Sequence, residues 1–329
     1  MTELPEVSLP SSTGLAFRAI VPSDIDQWLA LIERIAEAER PPWSDQRADL
    51  THIFASSKND PALNTVIGMD EGGTARAYGR VSKNLGGPKA IAAGGVDPQW
   101  QRRGVGSAVL AWQLAQARLR FAQERMPEAR IRVHSEEDNV AERALFTGFG
   151  FDVVRYFTSM LRPLDGGLPE IAPAPEIEIV SLAPNLDEAA RLAHNEVFAD
   201  HWGSEPRDRE AWGFMLGHPL SRADWNTLAL ERSSGEVVGY QLASYDPQVL
   251  AREGRAEGYT ELLGVRRKWR GRKVAAALLA DAMQRFKAAG MDYAGLDVDT
   301  ENPSGALGLY ERMGYRATHR SMAWDLLLE

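Results

Sequence analysis

Two short segments carry the residue types that suit a diphosphate. QRRGVG (Gln101–Gly106) and RGRKVA (Arg270–Ala275) each follow a strand-like run ending in Gly-Val, after a spacer of a few residues, and each opens a helix-like run. Glycine where a loop meets a helix lets backbone N–H groups approach a ligand closely. A helix start also offers N–H donors with no intrahelical partner and a partial positive charge, which suits phosphate oxygens. Arg102, Arg103, Arg270, Arg272 and Lys273 add mobile cations. Two familiar phosphate loops are excluded: GxxxxGK[ST] is absent, and Gly104 and Gly106 lack the third glycine and the immediate strand-to-helix turn of a dinucleotide fingerprint. GxSxG, HExxH and EF-hand patterns are absent as well.

Both loops belong to a repeat. At a constant offset of 169, Gly95, Val96, Trp100, Arg103, Val105, Ala108 and Leu110 recur as Gly264, Val265, Trp269, Arg272, Val274, Ala277 and Leu279. Asp138–Phe151 aligns with Glu301–Tyr315 after one insertion, so two blocks recur in the same order and the chain reads as a tandem duplication. Pro169, Pro173 and Pro175, with the glycine pair at 166 and 167, mark a linker at 163–176 between an N-terminal domain at 1–162 and a C-terminal domain at 177–329. Each half reads alike. A strand (15–20; 177–182) precedes a helix opened by Asp or Asn (25–38; 186–199) and three strands (65–70, 74–84, 90–96; 226–231, 237–245, 257–265). A long helix follows, with Leu110, Leu114, Ala117 and Phe121, or Leu279, Met283 and Phe286, on one face. A fifth strand (130–134; 293–298), a short helix and a closing strand pair finish each half. Several strands ahead of the first crossover helix predict an α/β fold with a mixed, mostly antiparallel sheet of six to seven strands in each domain.

Composition narrows the class. The chain has 329 residues, a formal charge of −9 and no cysteine, which removes disulfides, thiolate nucleophiles and thiolate metal sites. Divided at residue 170, both halves are acidic: 19 basic against 22 acidic residues, then 18 against 24. Nucleic acid and anionic membranes reward a basic face, so neither is the expected partner. No window approaches the ~20 apolar residues of a membrane span and MTELPEVSLP has no apolar run, so a cytoplasmic protein is expected.

Gln101-x-x-Gly104-x-Gly106 resembles the [QR]-x-x-G-x-[GA] acetyl-CoA loop of the GNAT N-acetyltransferase superfamily. Asn302 followed by LYERMGY (Leu309–Tyr315) is similar to that family's second block, and the resemblance covers both halves, as in tandem two-domain members. It implies that Gln101, Arg102, Arg103, Gly104, Val105 and Gly106, and Arg270, Gly271, Arg272, Lys273, Val274 and Ala275, hold the pyrophosphate of acetyl-CoA. It implies further that the strands ending at Val96 and at Leu263 and Val265 pair with the pantetheine arm, that Asn139 and Asn302 sit near the cofactor, and that Tyr310 protonates the departing thiolate.

The halves differ where the chemistry lies. The first half has Phe146 at the position of Tyr310, and its strand KAIAAGGV lacks a carboxylate. By alternation Glu261 shares a face with Leu263 and Val265, and it is the candidate base or water holder. The C-terminal half is therefore expected to be catalytic and the N-terminal half degenerate, still holding acetyl-CoA or only supporting the fold. Lys273 stands where the family usually has glycine, which costs about 1 kcal/mol if φ is positive there, unless the loop shifts to use Gly271. For the acceptor, His194, Glu196, His201 and Trp202 could face a small polar amine, and Asp297, Asp299 and Glu301 would attract a cationic one. No third ligand joins His194 and His201, so no metal is expected. The predicted partner is a small-molecule amine, on a monomer or homodimer. A donor of aminoacyl-tRNA type would need a basic surface, and a non-catalytic acyl-CoA sensor is the other reading.

Overall fold

A computed structural model describes residues 7–11, 13–124, 126, 128–302 and 305–328. In chain order the elements are β1 (Ala16–Arg18), α1 (Ile25–Glu39), α2 (Arg47–Ala55), α3 (Pro61–Asn64), β2 (Thr65–Met69), β3 (Ala75–Lys83), β4 (Lys89–Val96), α4 (Val105–Glu124), β5 (Arg130–Glu136), α5 (Val140–Gly148) and β6 (Asp152–Pro163). The second series is β7 (Ile177–Ser181), α6 (Asp187–Phe198), α7 (Arg209–Gly217), β8 (Thr227–Glu231), β9 (Val237–Ser244), α8 (Pro247–Glu253), β10 (Glu257–Val265), α9 (Val274–Ala288), β11 (Tyr293–Asp299), α10 (Ala306–Arg312) and β12 (Arg316–Leu327).

The chain forms two compact units, one of residues 1–155 with 321–329 and one of residues 156–320. In the first, the strand order is β1-β2-β3-β4-β5-β12; in the second it is β7-β8-β9-β10-β11-β6. Among the described residues of each unit, only β4 with β5 and β10 with β11 run parallel, which gives each unit the mixed, mostly antiparallel six-stranded sheet expected. The closing strand differs from expectation. Each half ends in one long strand rather than a pair, and β12 past Ser321 completes the first unit while β6 past Tyr156 completes the second. The units therefore divide at 155 and 320 and not at the proline-rich segment, where irregular chain runs between β6 and β7.

Helices cover both faces because each carries an apolar stripe. Trp28, Leu31 and Ile32 of α1 pack with Leu50 of α2 on one face of the first sheet, and Val105 and Val109 of α4 pack with Ala77 on the other. In the second unit α6 and α7 bury Ala190, Ala193 and Trp212 against Leu228, Tyr240 and Leu242. The opposite face takes Leu279, Met283 and Phe286 of α9 and Tyr310 of α10. β9 is buried along its whole length, as a strand covered on both faces must be. The aspartate expected to cap α1 does something else: Asp24 accepts two hydrogen bonds from Arg18 and one from the Val21 N–H, while α6 has Leu186 at its N-cap.

Candidate active site

The two loops adopt the same backbone by different means. In the first, Arg102 (φ +61°) and Gly104 (φ +79°) are left-handed; in the second, Gly271 (φ +77°) and Lys273 (φ +60°) are. These are equivalent positions at the offset of 169, so each loop has two left-handed residues flanking an ordinary one, with glycine at one of them and a basic residue at the other. Both outcomes weighed for Lys273 therefore hold at once. Alternation of this kind turns successive N–H groups toward a common concavity, and the first turn of α4 or α9 adds its own.

The cations are less mobile than expected. Arg103 lies 4.8 Å over the Trp100 ring and Arg272 lies 4.7 Å over Trp269, while Arg272 also pairs with Glu176 at 2.7 Å. Arg270 donates to the Val265 carbonyl at 3.2 Å and Gln101 to Glu39 at 2.8 Å. Arg102 and Lys273 are exposed at the loop apices. Val105 and Val274 are buried anchors, and Gly106 and Ala275 occupy the first helical turn where either small residue fits.

Beside each loop the parallel strands splay. β4 pairs with β5 only over Lys89–Ile91, and β10 with β11 only over Glu257–Thr260, so the stretches reaching Val96 and Val265 have no ladder partner on that side. Main-chain groups there face no neighbouring strand on that side. Gly95 and Gly264 are required nearby because tyrosines cross them: a Cβ on Gly264 would lie 2.5 Å from the Tyr240 ring, and one on Gly95 2.9 Å from that of Tyr78.

β10 contains a bulge and β4 does not. The register of β10 on β9 slips between Thr260 and Leu262, whereas β4 pairs with β3 without interruption. Glu261 is the extra residue, and the bulge overturns its expected face. Gly258 faces Phe286 on the α9 side, and Leu263 and Val265 pack there too. Glu261 instead points with Tyr259 and Ser244 to the α6 and α7 side, where Ser244 Oγ donates to Glu261 Oε1 at 2.5 Å. Glu261 is an exposed residue, yet protein crowds its carboxylate enough that desolvation raises its pKa, with Asp297 adding to the rise and Ser244, Arg207 and His218 opposing it.

Tyr310 lies on the α9 side, 8% exposed, its ring edge-on to Tyr315 at 6.1 Å. Burial pushes its phenol up to about 12, so it holds its proton at neutral pH. Phe146, its counterpart, packs on Phe151 and Trp324.

The acceptor residues scatter. His194 is 3% exposed and belongs to the core, with Nδ1 2.7 Å from the Tyr240 hydroxyl and its ring stacked on Phe198. Desolvation, with Arg207 and His201, lowers its pKa to about 4, so it is neutral and withdrawn from the acceptor surface. Glu196 pairs with Arg266. His201 Nε2 meets the Asn302 amide at 3.2 Å, which brings a predicted acceptor residue onto a predicted cofactor residue. Asn139 caps α5 through Glu142 N–H instead. Trp202 packs 6.3 Å from Phe157. Asp299 is buried and accepts the Glu301 N–H, so it shapes its own turn, and Asp297 is the exposed acid of β11 beside Tyr259. Arg207 and Ser244 join Tyr259 around Glu261; nothing in the spacing of Arg207 and Ser244 announces them, because the bulge and the loop before α7 bring them there.

The repeated fold and its paired loops define a protein of tandem GNAT type. The acetyltransferase (GNAT) family model matches residues 28–151 and 188–315, and the chain belongs to that family. It is 31% identical over 202 residues to a mycothiol acetyltransferase of Streptomyces avermitilis, a match covering 58% of this chain and 60% of that one. The corresponding protein of Brachybacterium faecium is 30% identical over 70% of this chain and 66% of its own, so the matches span less than two thirds of these relatives. A GCN5-related N-acetyltransferase of Sphaerobacter thermophilus superposes with a TM-score of 0.72 at 26% identity, over 97% of each chain. A tandem GNAT protein from the clavulanic acid biosynthesis pathway shares the fold, at TM-score 0.68 and 15% identity over 95% of this chain and 98% of its own. No helix among the described residues is long and apolar enough to cross a membrane.

Proposed function

We propose that this chain is an acetyl-CoA-dependent N-acetyltransferase that acetylates a primary amine of a small molecule, with transfer in the C-terminal half. The observation that carries the reading is the β10 bulge. It turns Glu261 to one side of the sheet while Tyr310 stays buried and protonated on the other, at the mouth of splayed strands beside a loop suited to a diphosphate. The first half has a straight β4, no carboxylate in that strand and Phe146 in place of the tyrosine.

Acetyl-CoA supplies the activated thioester. The 270–275 loop and the start of α9 hold the pyrophosphate through main-chain N–H groups and Lys273, and β10 past Thr260 aligns the pantetheine arm. Glu261, with its raised pKa, takes a proton from the incoming ammonium directly or through a water, which frees the lone pair for attack. A strand-end N–H of β10 stabilises the oxyanion, and Tyr310 returns a proton to the leaving sulfur. In the first half Gln101 is tied to Glu39, and Glu39 and Glu136 help burial push Glu142 up to about 8, an acidic surround that disfavours a bound diphosphate.

Calorimetric titration of acetyl-CoA into the CoA-free protein, paired with release of free CoA thiol across a panel of amines, tests this. Expected are one productive site, lost on changing residues 270–275 but not Gly104, and thiol release with at least one amine. The name of the curated relatives puts a mycothiol-type acceptor on that panel. Binding without thiol release from any amine would favour an acyl-CoA sensor, and no binding would overturn the reading.

A further inference from the structure

Arg207 has fewer partners than its neighbours Arg191 and Arg266. Asn195 clamps its backbone from both sides, Oδ1 accepting the Arg207 N–H at 2.8 Å and Nδ2 donating to its carbonyl at 3.0 Å. Arg191 donates to that carbonyl as well. The segment before α7 is thus pinned to α6 at the residue whose side chain turns inward. Among the described residues its guanidinium finds a single hydrogen-bond acceptor, the Met215 sulfur at 3.0 Å. Arg191 and Arg266, by contrast, each reach carboxylates within 2.9 Å. A guanidinium has five donors in a fixed fork, so one poor acceptor leaves most of them for something else.

Glu261 does not take up these donors. Glu261 feels the charge of Arg207, and Arg207 that of Glu261, but no ion pair or hydrogen bond joins them. Glu261 is held by Ser244 instead. Burial already works against the charged guanidinium and lowers its pKa. A partly buried cation, pinned through its backbone and with donors to spare, on the same side of the sheet as a carboxylate whose charge it feels, is complementary to a molecule bearing both charges.

We propose that the acceptor is an amino-acid-type molecule whose amine lies at Glu261 and whose carboxylate is gripped by Arg207. The inference rests on the acetyltransferase reading for the amine, and on Arg207 alone for the carboxylate. A bidentate guanidinium–carboxylate pair fixes orientation as well as affinity, so Arg207 sets which amines present their nitrogen to Glu261. Asp297 on the same face repels a second carboxylate near the amine, which favours a single anionic group at the Arg207 end.

Matched probes test it: alanine, β-alanine and lysine, their carboxamides, and aminoethyl phosphate as the other anionic amine. With the wild-type protein, kcat/KM for the preferred amino acid should exceed that of its carboxamide on the order of 10²-fold, mostly through KM. In R207Q that ratio should fall to near one while acetyl-CoA affinity and thermal unfolding stay as in the wild type, and R207K should recover part of it. A second readout needs no turnover. Calorimetry with the N-acetyl amino acids should show binding that their carboxamides lack and that R207Q loses. If no probe is acetylated but this binding difference appears, the activity reading fails and the anion subsite stands. Equal handling of acids and amides, or an equal loss of both in R207Q, overturns the proposal, and a preference for aminoethyl phosphate replaces the carboxylate by a phosphate.

Discussion

Lys273 shows how one residue can be pulled two ways. Its left-handed backbone, φ +60°, costs about 1 kcal/mol relative to glycine, yet its ammonium sits at the loop apex where a diphosphate would lie. K273G should therefore raise unfolding stability by about 1 kcal/mol while weakening acetyl-CoA several-fold, signs that denaturant unfolding and calorimetry separate. A variant that gains or loses both together would show that the lysine does not touch the cofactor. The acid and base make a second prediction. Glu261 must be ionised to accept a proton, and its pKa is raised, so the acidic limb of kcat/KM should lie above the ordinary carboxylate range. Tyr310 must be protonated and is pushed up to about 12, so no alkaline limb from it should appear below pH 10. E261Q should erase the acidic limb and Y310F should lower kcat, each by about 10²-fold or more, with acetyl-CoA affinity kept. An unmoved limb in E261Q, or near-normal turnover in Y310F, would remove that residue from the mechanism.

At the scale of elements, the docking of α6 onto β9 turns on one hydrogen bond. The Tyr240 hydroxyl and His194 Nδ1 share a hydrogen bond of 2.7 Å in a site with almost no solvent. The histidine has a folded pKa of about 4 against 6.5 when exposed, so the unfolded chain binds the extra proton between these values. Stability is then complete above pH 6.5 and lost as pH falls toward 4, by roughly 3 kcal/mol in all. Chemical denaturation of the wild type and H194Q between pH 7 and 4 checks this; the variant should be less stable at pH 7 and flatter with pH, and parallel curves would refute it. This pair also shows what a linear sequence conceals. Strand alternation and four-residue helical spacing sufficed for the tandem fold, the crossover helices and both loops, because those features repeat and depend on near neighbours. The bulge at Glu261 was illegible, since TELL contains no glycine and reads as regular alternation. His194 looked like a site residue for a related reason: its place on α6 was readable, but its partner 46 residues away was not. The second left-handed position of the first loop was hidden by Arg102, which side-chain type alone would put elsewhere, whereas at Lys273 the glycine usual there raised it.

For the whole molecule, the decisive feature is that neither half of the duplicated sequence makes a complete sheet alone. Hydrophobic alternation says which face a strand buries, and not which strand it lies beside, so β12 read as the end of the second half when it serves the first unit. Seven residues, Ser321–Leu327, pair with β5 over its whole length. They bring Asp325 onto Arg132 at 2.7 and 2.8 Å, with both side chains more than nine-tenths buried, and the Trp324 indole N–H onto Ser135 Oγ. Removing one partner of a buried ion pair leaves a desolvated charge and costs about 3–5 kcal/mol. D325A should accordingly destabilise the first unit, and ending the chain at Arg320 should do so more severely by also opening the β5 edge. Hydrogen exchange resolved by peptide should then quicken across β5, α5 and β4 while β9 and β10 keep their protection, and a peptide of residues 316–329 added back should restore it. Uniform loss of protection, or none, would mean that the C-terminal strand is not part of the first unit's stability. The expected outcome carries a functional corollary: a fragment of residues 177–329 would lack β6 past Tyr156, the strand that covers β11, so a catalytic C-terminal half should need the N-terminal half as a source of that strand even if the first unit never binds acetyl-CoA.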